Sequence, residues 1–469
     1  MWALYLIAIT WVLSLVAGTF SVLRTRVPGP LYAKFTSLIL KYQEFSGKRR
    51  TYIHSLHQKY GPVVRLAPNE ISFTDLEGLR EIYQSGGSGY DKTEFYNLFQ
   101  QYDHRTMFST LNKQDHAGRK KLFADRYAMT NVVRPEIVQG IQDRAASVVE
   151  KCKASLGSYL DVYITLHCYA LDCASLFLFN PGGTDTLNNP EDFVLMQELS
   201  YDNRLKLRWL EYYSPKLASF IHCFRKKSRS LSKDYVLAQS QQTKHKESSL
   251  IHRLQSNSSS LQTIQMAAEC MDHMAAGIDT TGDGLCFLMY QLSLPAYQHV
   301  QQRLHLELVH NPTAKLDELI FLDAVVKEGL RLFPPIPMSL PRYVPDGGRN
   351  ISGYDIPAAT IVSCQAFSVH RINDLVFPRP NDFAPERWLA EEGLHERNRL
   401  FFSFASGGRG CIGKNLALVE MKTLLREIYS RFATKVAAEM EGDMSIDDQI
   451  ISSRPKDQTC LLTFELIGK

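Results

Sequence analysis

From residue 115 to about 310, apolar positions return with helical periodicity, interrupted at Pro190, Pro215 and Pro295. Proline removes a backbone donor and restricts the residue before it, so these positions predict breaks between helices. Within this region a long apolar helix runs from Leu261 to Leu292 and is ended by Leu294-Pro295. A further helix, from about Leu316 to Leu332, stops at Phe333-Pro334-Pro335. Upstream, an amphipathic stretch from about Leu38 to Tyr60 precedes GPVVRLAPNEISF, Gly61 to Phe73, whose apolar runs between Gly-Pro and Pro-Asn predict a short two-stranded piece. Residues 341 to 390 are rich in Pro, Gly and Asn, and a last helix begins after Cys411 and reaches about Phe432. The pattern predicts a mainly α-helical body with small β-sheets, spanning residues 35–469 as one domain.

The first residues differ from the rest. Trp2 to Leu23 carries no charged side chain, and at 1.5 Å per residue it is long enough to cross a hydrocarbon core of ~30 Å. Arg24 and Arg26 put the positive flank on its C-terminal side, which predicts a single-pass anchor over 1–23 with the body cytoplasmic. A cleaved signal peptide would carry a basic region before the apolar run, and none is present. Residues 24–34, with Val27-Pro28-Gly29-Pro30, form a stiff proline-rich hinge.

Composition adds little to this. The 53 basic and 49 acidic residues nearly cancel, which gives no reason to expect nucleic acid as a partner. Nine dispersed cysteines lack metal or redox spacing and suit a reducing cytosolic face. On that side of the membrane the glycosylation patterns at Asn257 and Asn350 would be silent.

The chemistry concentrates in FFSFASGGRGCIGKNLALVEM, residues 401–421. Gly408, Gly410 and Gly413 fit the G-x-G-x-x-G loop that cradles dinucleotide phosphates. Only 56 residues follow Gly413, too few for a dinucleotide domain, and Glu439 and Glu441 lie too far along to hold a ribose. Around the cysteine the same residues satisfy F-x-x-G-x-R-x-C-x-G through Phe404, Gly407, Arg409, Cys411 and Gly413. An iron-bound thiolate pushes electron density toward the metal and favours O–O cleavage. Such a sulfur needs a tight turn whose amides point at it, and a following helix whose positive end faces it. Arg409 is placed to meet a carboxylate with a charge-assisted bond.

This stretch resembles the cytochrome P-450 family, the haem-thiolate monooxygenases, and other motifs extend the resemblance along nearly the whole chain. Glu328 and Arg331 form E-x-x-R on one helical face, and Pro385-Glu386-Arg387-Trp388 follows. The resemblance implies a structural triad of Glu328, Arg331 and Arg387 supporting the thiolate loop. AGIDTT, Ala276 to Thr281, interrupts the long apolar helix with groups that are costly to bury unpaired. In the family the matching acid and alcohol relay protons during dioxygen activation, which implies that role for Asp279 and Thr280, with Ala276 and Gly277 forming the groove beside them. Arg342 in LPRYVP resembles a second propionate-binding arginine. His116 and Lys120 stand where the family has W-x-x-x-R, so lysine there binds as a point charge without bidentate geometry. His370-Arg371 resemble another family stretch, but Ile372-Asn373-Asp374 departs from its usual continuation, and the pair receives no role.

The resemblance implies haem, held by Cys411 and with propionates met by Arg342, Arg409, His116 and Lys120. Electrons would come from NADPH through a separate membrane-bound flavoprotein reductase, for which Arg119, Lys120, Lys121 and Lys414 offer a basic face. The expected reaction inserts one atom of dioxygen into a largely apolar substrate at the endoplasmic reticulum membrane, as a tailoring step in fungal-like secondary metabolism. A desaturase, oxidative cyclase or rearrangement enzyme is the first alternative, and a non-catalytic haem sensor the second. Apolar residues of FYNLFQQYDHRTMFSTL and of Ile336 to Ser339 fall where the family lines its pocket.

Overall fold

The computed structural model describes residues 25–201, 204–223, 230–256 and 261–467. The expected anchor over 1–23 and the pattern at Asn257 lie outside the described residues. Seven helices carry the site and are labelled α1 (Lys113–Lys121), α2 (Pro135–Ala154), α3 (Val162–Phe179), α4 (Thr263–Ser293), α5 (Ile320–Leu332), α6 (Ala366–Ile372) and α7 (Lys414–Tyr429).

The proline breaks fall where expected, and their chemistry is sharper than a break. Pro190, Pro215 and Pro295 each open a helix, where a missing N–H costs nothing because the first amides have no intrahelical acceptor. Helix α4 begins with a capping box between Gln262 and Gln265 and ends as Leu294 turns extended before Pro295. The amphipathic stretch after the hinge divides into two helices, Leu38–Phe45 and Arg49–Tyr60.

Helix α3 is apolar on every side and buried along most of its length. Among the described residues it is the helix long and apolar enough to cross a membrane, yet 89% of it lies inside the body, packed along α4. Helices α2, α3, α4, α5 and α7 share the main apolar core.

GPVVRLAPNEISF forms the expected antiparallel pair, Val63–Ala67 with Glu70–Phe73. Glu70–Phe73 runs parallel to Ile361–Cys364, which pairs antiparallel with Arg342–Tyr343. That last two-residue strand matters most for the site. It seats Arg342 in the sheet and, through a bridge to Lys92, joins it to the segment after Tyr90.

Candidate functional site

The loop before α7 closes on itself: the Cys411 amide donates to the Phe404 carbonyl at 2.8 Å, and Gly410 N–H to Gly407 O at 2.9 Å. Gly407 has φ +71°, and a Cβ there would sit 1.9 Å from the Tyr83 carbonyl oxygen. The helix Leu76–Gln84 therefore presses directly on this turn, and Gln84 Nε2 donates to Ser406 Oγ at 2.5 Å. Gly407→Ala combines a left-handed penalty of roughly 1–3 kcal/mol with an overpacking cost of similar size. The purified variant is expected to hold well under half the haem per protein of the wild type, read from their absorbance ratio.

Helix α7 has Gly413 at its N-cap and no side-chain cap. Its orphan donors find the sulfur instead: the amides of Gly413 and Lys414 both hydrogen-bond Cys411. The protein packed around the thiol raises the Cys411 pKa, against the pull of those amides and of the Lys120 and Lys414 ammonium groups, although the residue keeps one exposed face. Alone, the sulfur keeps its proton; a positive centre bound to it would remove it. Cys411 is also exposed, as is Cys223, whereas the other seven cysteines are buried. An accessible sulfur ringed by amides is placed to be a ligand.

Basic groups converge beside the loop. Arg409 donates from Nε to Ser88 O at 3.0 Å and from Nη1 to Leu111 O at 3.3 Å, while Arg342 donates to Tyr96 Oη at 2.6 Å. The charges of Lys92, Arg409, Lys120 and Arg342 all bear on His116, and after burial they push its pKa down to about 3. His116 is thus a neutral N–H donor and not the cation its replacement of Trp would allow. Arg409 Nη2 and Arg342 Nε, both buried, find no partner among the described residues. Each such donor costs about 1–3 kcal/mol if left so. Buried positive charge with unspent donors fits a group carrying two carboxylates, which haem supplies through its propionates.

Lys92 was invisible in the sequence, where one lysine among aromatic residues has no spacing to mark it. It is 4% exposed, donates to Phe108 O at 2.5 Å, and lies over the Tyr96 and Phe108 rings. Lys120 binds the Gly408 carbonyl at 2.9 Å, so it braces the thiolate loop as well as charging it. Arg119 corrects the expected reductase-facing patch: it turns inward to buried Glu269 at 2.7 Å, leaving Lys121 and Lys414 exposed.

Helix α4 carries the other residues expected at the site. Ala276 is exposed although residues 266–272 and 281–289 of the same helix are buried, so the helix keeps an open side at its middle. Thr280 Oγ1 donates to the Ala276 carbonyl at 2.6 Å, leaving its lone pairs to accept from the open side. A Cβ on Gly277 would come within 3.0 Å of Ala174 Cβ, so glycine here serves the packing of α3 on α4, and the groove side falls to Ala276 and Thr280. Thr281 hydrogen-bonds Glu420 of α7, whose pKa burial pushes up to about 8, tying the two helices together.

The expected triad forms. Glu328 is fully buried and accepts from Arg331 at 2.8 and 2.9 Å, Arg387 Nε at 2.9 Å, Trp388 Nε1 at 2.9 Å and the Ala384 amide at 2.9 Å. His370, given no role from the sequence, links this cluster to the thiolate loop. Its Nδ1 donates to the Arg331 carbonyl at 3.0 Å, and its Nε2 accepts from the Phe402 amide at 2.8 Å.

A family model described as cytochrome P450 matches residues 27–461. The chain is 30% identical over 465 residues to the cytochrome P450 monooxygenase stcB of Emericella nidulans, covering 93% of this chain and 88% of that one. It is 28% identical over 472 residues to the cytochrome P450 monooxygenase aflV of Aspergillus parasiticus, with 94% and 91% covered. The cytochrome P450 monooxygenase cypX of Dothistroma septosporum is 27% identical over 472 residues, with 94% and 91% covered. With sulfur, basic cluster and triad already assembled, these matches over nearly the full length establish that the chain belongs to the cytochrome P450 family, monooxygenases that hold haem by a cysteine thiolate and draw electrons from a redox partner.

Proposed function

We propose that Cys411 is the axial ligand and that the enzyme inserts one atom of dioxygen into a largely apolar organic substrate, as a tailoring step of fungal secondary metabolism. The observation that carries the assignment is the accessible Cys411 sulfur receiving the Gly413 and Lys414 amides at the start of α7. Haem, when bound, supplies reductive activation of dioxygen with electrons from an NADPH-dependent reductase. Arg342, Arg409 and Lys92 neutralise its propionates, His116 donates a neutral hydrogen bond, and Lys120 stiffens the loop. Phe404, Gly407 and Gly413 shape the turn around the sulfur. Asp279 and Thr280 hand protons toward the open side of α4, Thr280 from a hydroxyl already anchored on Ala276.

An apolar substrate is supported by half-buried Phe99 and Phe108, stacked edge-on at 5.2 Å, and by half-buried Ile336 on the segment after α5. Membrane attachment is supported by a run of exposed apolar residues from the end of the hinge onward: Leu31, Phe35, Leu38 and Tyr42 are 70, 59, 69 and 66% exposed. Soluble surfaces seldom carry such a cluster without a partner, and the anchor expected over residues 1–23 would bring a bilayer beside it.

Untargeted comparison of metabolites with and without the gene tests the reaction: a less oxidised apolar compound is expected to accumulate in its absence, and identical profiles would overturn it. Thr280→Ala tests the relay. Carbon monoxide binding should survive, while at least half of the NADPH consumed with the accumulated compound should be diverted to hydrogen peroxide.

A further inference from the structure

Behind Asp279 the same helix carries a second acid. Asp283 lies one turn further along α4, is 3% exposed, and its Oδ1 stands 3.5 Å from Nε2 of fully buried His167 on α3. Gly282 makes this approach possible: a Cβ there would meet three atoms of the imidazole ring at 3.0 Å, so the ring lies flat against the helix. The tautomer is dictated. His167 Nδ1 sits 2.7 Å from the Tyr163 carbonyl oxygen, which can only accept, so Nδ1 carries hydrogen. Nε2 and Asp283 Oδ1 face each other at 3.5 Å, and neither has a hydrogen-bond partner of normal geometry among the described residues. Without a proton between them, an imidazole lone pair would face a buried carboxylate, an arrangement with nothing to offset its desolvation.

The surroundings lead both inward and outward. The groups facing the pair are Asp279 from α4, Tyr163 from α3 and Arg454 from the strand Ser453–Pro455. The Tyr163 ring stacks on His167 at 4.2 Å, and its hydroxyl accepts from Gln458 Nε2 at 2.9 Å. Gln458 and Arg454 are only partly buried, so the seam reaches solvent at their edge.

We propose that His167 and Asp283 form a buried proton store that refills Asp279. The inference rests on the relay role given above to Asp279 and Thr280. In the transfer, the His167 Nε2–H bond breaks as an O–H bond forms on the Asp279 carboxylate, and a proton taken up from bulk solvent, passed on by water at the Arg454–Gln458 edge, restores the Nε2–H bond. No electron moves in this step. Neither residue touches substrate or cofactor; both act through Asp279. Burial opposes a charge on His167, but the Asp283 and Asp279 carboxylates outweigh it and raise its pKa, and burial raises the Asp283 pKa too, so the pair as a whole holds on to a proton.

The test uses the full-length holoenzyme with its reductase and no added substrate. NADPH oxidation then ends in hydrogen peroxide or, with further electrons and protons, in water, so the product ratio and the solvent deuterium isotope effect both report proton delivery. His167→Gln and Asp283→Asn are expected to slow oxidation about fivefold, double the isotope effect and raise the peroxide share, with carbon monoxide binding intact. Asp279→Asn should do the same, and the Asp279→Asn/His167→Gln double variant should be no worse than Asp279→Asn alone, because the groups act in series. If Asp279→Asn shows these effects and the His167 and Asp283 variants do not, the store is refuted and the relay stands; if Asp279→Asn shows none, both fall. A readout independent of turnover comes from 15N-histidine labels in the reduced, carbon monoxide-bound protein. His167 Nε2 should be protonated at neutral pH and lose that proton in Asp283→Asn, and an unprotonated Nε2 in the wild type overturns the proposal.

Discussion

Cys411→Ser is expected to abolish the strongly red-shifted Soret band of the reduced, carbon monoxide-bound protein and to reduce turnover to background. Serine nearly matches cysteine in volume, and the sulfur is accessible, so the fold should change by no more than about 0.5 kcal/mol. The chemistry does not survive the exchange. A thiol gives up its proton near neutrality when amides and a metal draw on it, whereas an alcohol holds its proton far more tightly. Gly413 and Lys414 amides and the Lys120 and Lys414 charges would then face a neutral hydroxyl with little electron density to give. Retention of the red-shifted band in a variant of unchanged melting temperature would remove Cys411 from the metal. Among the described residues the other exposed thiol is Cys223, on the helix Pro215–Cys223.

The second large effect is on folding. Glu328→Gln preserves shape but leaves the guanidinium groups of Arg331 and Arg387, 0% and 8% exposed, without the carboxylate that four side-chain and backbone donor groups share. Breaking a buried pair from one side costs about 3–5 kcal/mol, a large part of the 5–15 kcal/mol that holds a typical domain folded. The urea midpoint should fall accordingly at nearly constant slope, and haem content with it, since His370 passes the position of Arg331 to Phe402. An unchanged midpoint would show that the triad is dispensable.

The same carboxylate has a pH signature. Burial raises the Glu328 pKa, but Arg331 and then Arg387 outweigh burial and leave it below its ordinary value of 4.5. A group whose pKa is depressed on folding stabilises the protein above its unfolded value, and that contribution is lost as pH falls through the folded one. Wild type should therefore lose stability to this group only below about pH 4.5, and Glu328→Gln should flatten that limb of the acid-unfolding curve.

Much of this site is local in the chain and was legible there. F-x-x-G-x-R-x-C-x-G places its residues within ten positions, and a turn followed by a helix leaves little freedom in how they meet. Glu328 and Arg331 share a helix face by spacing alone. His370 escaped notice because its function lies in two backbone contacts on either side of the ring, with no motif to carry it. Arg119 was misjudged because three consecutive basic residues look alike in sequence, while helix geometry turns one of them toward Glu269. Gly277 looked like a gap left for a small ligand, and Ala174 of a helix about a hundred positions away fills the near side of it.

Spacing and residue type determined the helical class, the proline-marked helix starts and the turn around Cys411, because those depend on neighbours within a few residues, while the acid–alcohol pair came from the family resemblance. The tertiary structure decided which basic groups gather beside the Cys411 loop, since Arg342 meets Tyr96 across 246 positions and Lys92 joins them through a single bridge. It also decided protonation: His116 loses its charge, Glu420 gains a hold on its proton, and His167 faces Asp283. Burial and the field of distant charges set these states, and neither exists until the chain has folded.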